Sequence, residues 1–247
     1  MATSKQHQSE DKIHLGECIP FGVGGRRVCY VHPGDASKCI KILRQDSGKT
    51  VRLDHKGGWI PNAWRRSYDN NAHEKQKLLE IYRAIGPSMA QHLPICHGQV
   101  DTDLGKGLVL DLIRDQDGGI SRSLREWITL GIDLVPLKPF FQIFGNFLVE
   151  NSILTRQILD HNLALQRTSA STWNFFLIDG IGDSSWLPLA RWIPALGRAR
   201  IKRKVAAAWP RFEALASEGG VSEEMRRNST WGQGILQHRD SSKSSLG

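Results

Sequence analysis

The chain has 247 residues, enough for one large domain or two small lobes around a shared cleft. Apolar residues make up 40%, ordinary for a folded protein, and 33 Lys and Arg against 25 Asp and Glu leave a net charge of +8. That balance favours anionic partners without choosing among nucleotide phosphate, nucleic acid and lipid. Cys18, Cys29, Cys39 and Cys96 form no closely spaced pair, which excludes a zinc-binding or disulfide framework and reads as reduced, mostly buried thiols of a cytoplasmic protein.

Residues 1–11 are polar, lack the apolar run of a secretory signal and are expected to be disordered. Phe21-Gly22-Val23-Gly24-Gly25-Arg26-Arg27-Val28 reads as a strand, a glycine turn and a second strand. It suits a plain hairpin turn, or a loop in which Gly22, Gly24 and Gly25 let backbone N–H groups approach a phosphate. No Gly-Lys-Ser/Thr follows, so it is not a Walker loop. Lys38-Cys39-Ile40-Lys41-Ile42-Leu43 reads as a buried strand. Strand side chains alternate, so Lys41 cannot share a face with Ile40 and Ile42; it points to solvent or into a cleft. The polar insertion over 44–69 has no pattern that assigns it.

The spacing predicts a helix over 70–85, with Leu78, Ile81, Tyr82 and Ile85 as its apolar stripe. Glu74 lies near that stripe, one turn upstream, where it would pair with Lys41; Glu80 is the alternative, and a solvated charge is the plain reading of both. Strands follow over 94–100 and 107–113 around a turn at 103–105, and the backbone from Asp111 to Ile113 stands where a nucleotide hinge would face adenine. A helix over 123–130 has Ser121 or Ser123 as its cap, and one over 139–150 is expected to bury Phe140, Phe144, Phe147 and Leu148. The apolar stretch 134–154 carries too many polar groups to span a membrane.

Two short strands over 163–165 and 175–178 enclose the polar turn 168–172. Asn162 precedes the first and Asp179 follows the second, so closing this hairpin brings an amide oxygen and a carboxylate to one end of a small sheet. Hard cations such as Mg²⁺ take oxygen ligands of this kind, although Asp179-Gly180-Ile181-Gly182 is also an ordinary turn sequence. Farther on, Trp186, Leu187, Leu189, Trp192, Ile193, Leu196, Trp209 and Phe212 are core candidates. Arg198, Arg200, Lys202, Arg203 and Lys204 form a dense positive run, either a solvated helix face or a footprint for an acidic protein, nucleic acid or anionic lipid. Residues 217–247 read as a poorly ordered tail.

A glycine turn, a strand lysine, a helix glutamate, a hinge and an Asn-hairpin-Asp-x-x-Gly unit stand here in the order found in protein kinases. The stretches FGVGGRRVCYVHPGDASKCIKIL, LPICHGQVDTDLGKGLVLDLI, NLALQR and IDGIGDSSWLPLARW also resemble the YrbL family of PhoP-regulatory-network proteins, over about residues 16–211. The resemblance implies an α+β, two-lobed, protein-kinase-like fold: a β-rich N-lobe over 12–113 and a small, mostly helical C-lobe over 114–216. It further implies ATP and Mg²⁺ as ligands, with Lys41, Glu74, Asn162 and Asp179 around them. The chain departs from the kinase pattern at Gln157, which stands where the catalytic aspartate is expected, and at Arg27, which replaces the third glycine of the loop. Asp160 is the only nearby carboxylate that could serve as a base; a loop aspartate without catalytic duty is the other reading. These departures point to weak or unconventional phosphotransfer, or to a purely regulatory role. The competing expectation is a non-catalytic scaffold that binds its partner through the basic run.

Overall fold

The computed structural model describes residues 12–24, 27–44, 70–182 and 194–220. The fold is mixed α+β, with a sheet in the N-terminal part and helices following it. Strands β1 (Gly22–Val23), β2 (Arg27–His32), β3 (Asp35–Leu43), β4 (Cys96–Thr102) and β5 (Gly105–Asp111) form a five-stranded antiparallel sheet in the order β1-β2-β3-β5-β4.

The alternation along β3 decides what each face of this sheet does. Ile40 and Ile42 turn to one side, where they join Leu15, Tyr30 and Val109 in a small cluster. Cys39 turns to the other, into the main core with Leu108 and Leu110. Lys41, two residues from Cys39, shares that second face because strand side chains repeat every two residues. Helix α1 (Asn70–Ile85) covers it, with Leu78 fully buried. The inward stripe of α1 runs through Asn71, Glu74 and Leu78, while Tyr82, expected on it, is exposed. The inward position one turn before Leu78 is thus held by the carboxylate of Glu74.

After β5 the chain enters α2 (Leu124–Thr129) and α3 (Lys138–Glu150). Ser123 caps α2 through a reciprocal box with Glu126: the Glu126 N–H donates to the Ser123 hydroxyl (3.3 Å) and the Ser123 N–H to Glu126 (2.7 Å). Such caps contribute about 1 kcal/mol. On α3 the buried aromatic next to the helix start is Phe141 rather than Phe140, which is half-buried; Phe144, Phe147 and Leu148 are buried as the spacing predicts.

Strands β6 (Leu163–Arg167) and β7 (Trp173–Leu177) make a two-stranded antiparallel hairpin. Phe175 of β7 packs edge-on against Phe141. The long helix α4 (Pro194–Ser217) closes this core with Trp209 and Phe212. Leu196, also expected in the core, is exposed; Trp186, Leu187, Leu189, Trp192 and Ile193 lie outside the described residues. Helices α3 and α4 meet so closely at Gly145 that a Cβ there would sit 2.6 Å from Val205 Cγ1. Among the described residues no helix is long and apolar enough to cross a membrane. Cys39 is buried and Cys18, Cys29 and Cys96 are half-buried, a more open set than expected, and all four are free thiols.

Candidate functional site

The sheet, α1 and the end of the β6–β7 hairpin meet at a cluster of charges. Lys41 Nζ donates to Glu74 Oε1 at 2.8 Å and to the backbone carbonyl of Ile178 at 2.7 Å. Ile178 immediately precedes Asp179, so one ammonium ties β3 to a helix carboxylate and to the residue leaving the hairpin. Arg27, the first residue of β2, bridges the other side: its guanidinium pairs with Glu74 and, at 2.5 Å, with Asp179 Oδ2. Lys41, Glu74 and Arg27 are 7, 5 and 8% exposed. The Asp179 side chain is 48% exposed and forms the open edge of the cluster.

Burying charges as deeply as Arg27, Lys41 and Glu74 is costly unless each is paired, and here the two cations face Glu74 and the half-exposed Asp179. Burial alone would raise the Asp179 pKa, but Arg27 and Lys41 outweigh it and hold the carboxyl well below the usual range. Burial would likewise lower the pKa values of Lys41 and Arg27, yet Glu74 raises the first, and Glu74 with Asp179 the second. Opposite charges therefore keep Asp179, Lys41 and Arg27 ionised. Asn71 anchors the start of α1 by donating to the Lys41 carbonyl (2.8 Å), which holds Glu74 in register with Lys41. Glu80 faces away and pairs with Lys77 at 2.8 Å.

The hairpin end is built by backbone. The Ile178 N–H donates to the Asn162 carbonyl (2.9 Å), the Gly180 N–H to Asp179 Oδ1 (2.6 Å), and the Arg156 N–H to the Gly180 carbonyl (2.8 Å). Gly180 has φ +79°, and a Cβ there would lie 3.0 Å from Asn162 Nδ2. Glycine is needed on both counts, and its bareness lets the Asn162 amide close against the turn. Asn162 and Asp179 thus flank one turn, but both Asp179 oxygens already receive donors.

The other residues singled out in the sequence lie around this centre. The Gly24 N–H donates to the Arg27 carbonyl at 2.8 Å, closing the β1–β2 turn, and Gly22 pairs with Cys29; Gly25 lies outside the described residues. At the end of β5, Asp111 accepts from the Ile95 N–H (2.9 Å) and stands 2.6 Å from His97 Nε2, while the Ile113 carbonyl accepts from the Ser121 N–H at 2.9 Å. Asp160 is buried in a forked pair with Arg125, 3.1 Å from Nη2 and bonded also to Nε. Although burial pushes its pKa up, His161 and Arg125 prevail and hold it low, and a carboxylate so held is a poor proton acceptor. In the basic run, Arg198, Lys202 and Arg203 are exposed, Arg200 is half-buried, and Lys204 turns inward to donate to the Thr155 carbonyl. A groove lined by Gln116, Asp117, Arg167, Ser169 and Ala170 lies at the opposite, turn end of the hairpin and does not touch the charge cluster.

Sequence reasoning treated Arg27 only as a missing glycine. The signal was present, because an arginine opening a buried strand beside a cleft lysine must find carboxylates or leave the interior.

The molecule is therefore an α+β protein built around a buried ion-pair cluster between sheet, helix and hairpin. The family model described as "PhoP regulatory network protein YrbL" matches residues 13–212. YrbL of Escherichia coli (strain K12) and YrbL of Shigella flexneri are each 31% identical over 207 residues, covering 82% of this chain and 87% of the relative. The chain belongs to the YrbL family.

Proposed function

We propose that this is a cytoplasmic, protein-kinase-like nucleotide-binding protein whose role is regulatory, with phosphotransfer weak or absent. In this reading 12–113 forms the N-lobe and 114–216 the C-lobe. The cleft lies where Lys41 meets the hairpin, and the backbone from Asp111 to Ile113 meets the adenine. Lys41 holds phosphate oxygens and Glu74 orients it. The single observation that carries the reading is the pair of hydrogen bonds that Lys41 donates, to Glu74 at 2.8 Å and to the Ile178 carbonyl at 2.7 Å. Strand lysine, helix carboxylate and Asp-x-x-Gly turn are parts that phosphoryl-transfer sites of this type use together.

The regulatory half of the proposal follows from the proton acceptors. The Gln157 amide cannot take a proton, and Asp160 is committed to Arg125. For magnesium the fit is poor: the Arg27 guanidinium stands 2.5 Å from Asp179 Oδ2 and repels a divalent ion there, while Oδ1 accepts from the Gly180 N–H.

ATP that binds the native state alone raises its thermal midpoint. We expect such a rise in the wild type and its loss in Lys41→Met. A midpoint that saturating ATP leaves unmoved, with and without Mg²⁺, rejects the reading. The second reading, a scaffold for an acidic protein, nucleic acid or anionic lipid, is favoured by the exposure of Arg198, Lys202 and Arg203 on α4. Partner binding that survives Lys41→Met but not neutralisation of these three side chains would select it.

A further inference from the structure

This inference rests on the nucleotide reading and concerns which side chains hold the phosphates. In the site as built, Arg27 stands against Asp179 where a divalent cation would need to be. Its position is not that of a loose surface side chain. Arg27 pairs in register with Leu43 across β2 and β3, its carbonyl closes the β1–β2 turn, and its guanidinium is held from two sides by Glu74 and Asp179.

The donor count leaves room for a further anion. An ammonium has three N–H donors, and Lys41 spends two, on Glu74 and Ile178. A guanidinium has five in a rigid fork, and the Arg27 bonds to Glu74 and Asp179 use its two terminal nitrogens without exhausting them. The charges of the two carboxylates are meanwhile balanced by the two cations, so an incoming polyphosphate meets no bare carboxylate that a metal must mask, and it is held through the unused N–H donors rather than by a surplus of positive charge. A divalent ion approaching Asp179 meets a guanidinium already 2.5 Å from that carboxylate.

We propose that Arg27 serves as a built-in cation in place of the divalent metal, so that the cleft takes the polyphosphate of a nucleoside triphosphate without Mg²⁺. Guanidinium–phosphate bonds are charge-assisted and frequently bidentate, which suits this use.

The test is ATP binding by calorimetry to the full chain, in EDTA and in excess Mg²⁺, for wild type, Arg27→Met and Arg27→Lys. Mn²⁺ binding to each protein alone is read in parallel by electron paramagnetic resonance. Wild type should bind ATP in EDTA within about threefold of its affinity in Mg²⁺ and should bind Mn²⁺ poorly. Arg27→Met should lose about tenfold to a hundredfold in EDTA, the range of a lost charge-assisted hydrogen bond, and should gain Mn²⁺ affinity. Arg27→Lys, which keeps the charge without the fork, should fall between them. Wild-type ATP binding that needs Mg²⁺ overturns the inference and leaves the nucleotide reading standing; absence of binding in both media overturns both. The wild-type comparison requires no variant, so it decides the matter even if Arg27→Met fails to fold.

Discussion

The two concentrations of positive charge in this protein are opposites. Arg27 and Lys41 lie far apart in sequence, are buried, and each has carboxylate or carbonyl acceptors within bonding distance. The α4 run from Arg198 to Lys204 is dense in sequence, yet Arg198, Lys202 and Arg203 stand in solvent, while Arg200 is half-buried and Lys204 reaches the Thr155 carbonyl. Density along the chain is therefore a poor guide to where charge matters energetically. What counts is whether removing a group leaves its partners stranded in a poorly solvated place, and that condition holds at Glu74 and fails at Arg198.

The sharpest way to break this contrast is Glu74→Ala. It leaves Arg27 and Lys41 buried with their shared carboxylate gone, and breaking a buried pair this way costs about 3–5 kcal/mol. Urea denaturation should show a loss of that order; a loss below about 1 kcal/mol would mean the cluster is effectively solvated. Next in size is Gly180→Ala, which places a side chain at φ +79° and against the Asn162 amide. We expect about 1–3 kcal/mol by the same measurement.

Acid sharpens the contrast further. Asp160 and Asp179 both have folded-state pKa values below their unfolded value of about 3.9: burial would raise them, but His161 and Arg125 in the first case and Arg27 and Lys41 in the second lower them more. A depressed carboxylate contributes stability above its unfolded pKa and loses it as pH falls toward the folded one. The thermal midpoint should accordingly drop as pH falls below about 4, and Asp160→Asn should flatten part of that drop. His92 adds a milder slope at higher pH. Burial lowers its pKa, so its share is present above about 6.5 and shrinks on acidification. At the small end, Arg198→Ala, Lys202→Ala and Arg203→Ala should each shift stability by no more than about 0.5 kcal/mol.

Much of the scaffold could be read before any coordinates. Helix α1 falls on 70–85 because its pattern is long and periodic; of the two caps the sequence left open for α2, Ser121 and Ser123, the structure selects Ser123 through its box with Glu126. Alternation alone put Lys41 on the face opposite Ile40 and Ile42. The errors came where single residues compete for a half-covered surface. Phe140 and Phe141 are neighbours on one helix turn, and periodicity does not say which of them meets Phe175. Tyr82 and Leu196 sit on faces that nothing described covers. Arg27 was missed for a different reason: an arginine opening a buried strand signals a need for carboxylates, but its partners, Glu74 and Asp179, are 47 and 152 positions away and local patterns do not name them.

The contact between Gly145 and Val205 carries a consequence for how this family can vary. The two positions share one small volume, so a methyl group gained on α3 has to be given up on α4. Homologues bearing alanine or serine at the first position should therefore carry a smaller residue than valine at the second, and a chimera that crosses α3 of one homologue with α4 of another should fold only when the two sizes match.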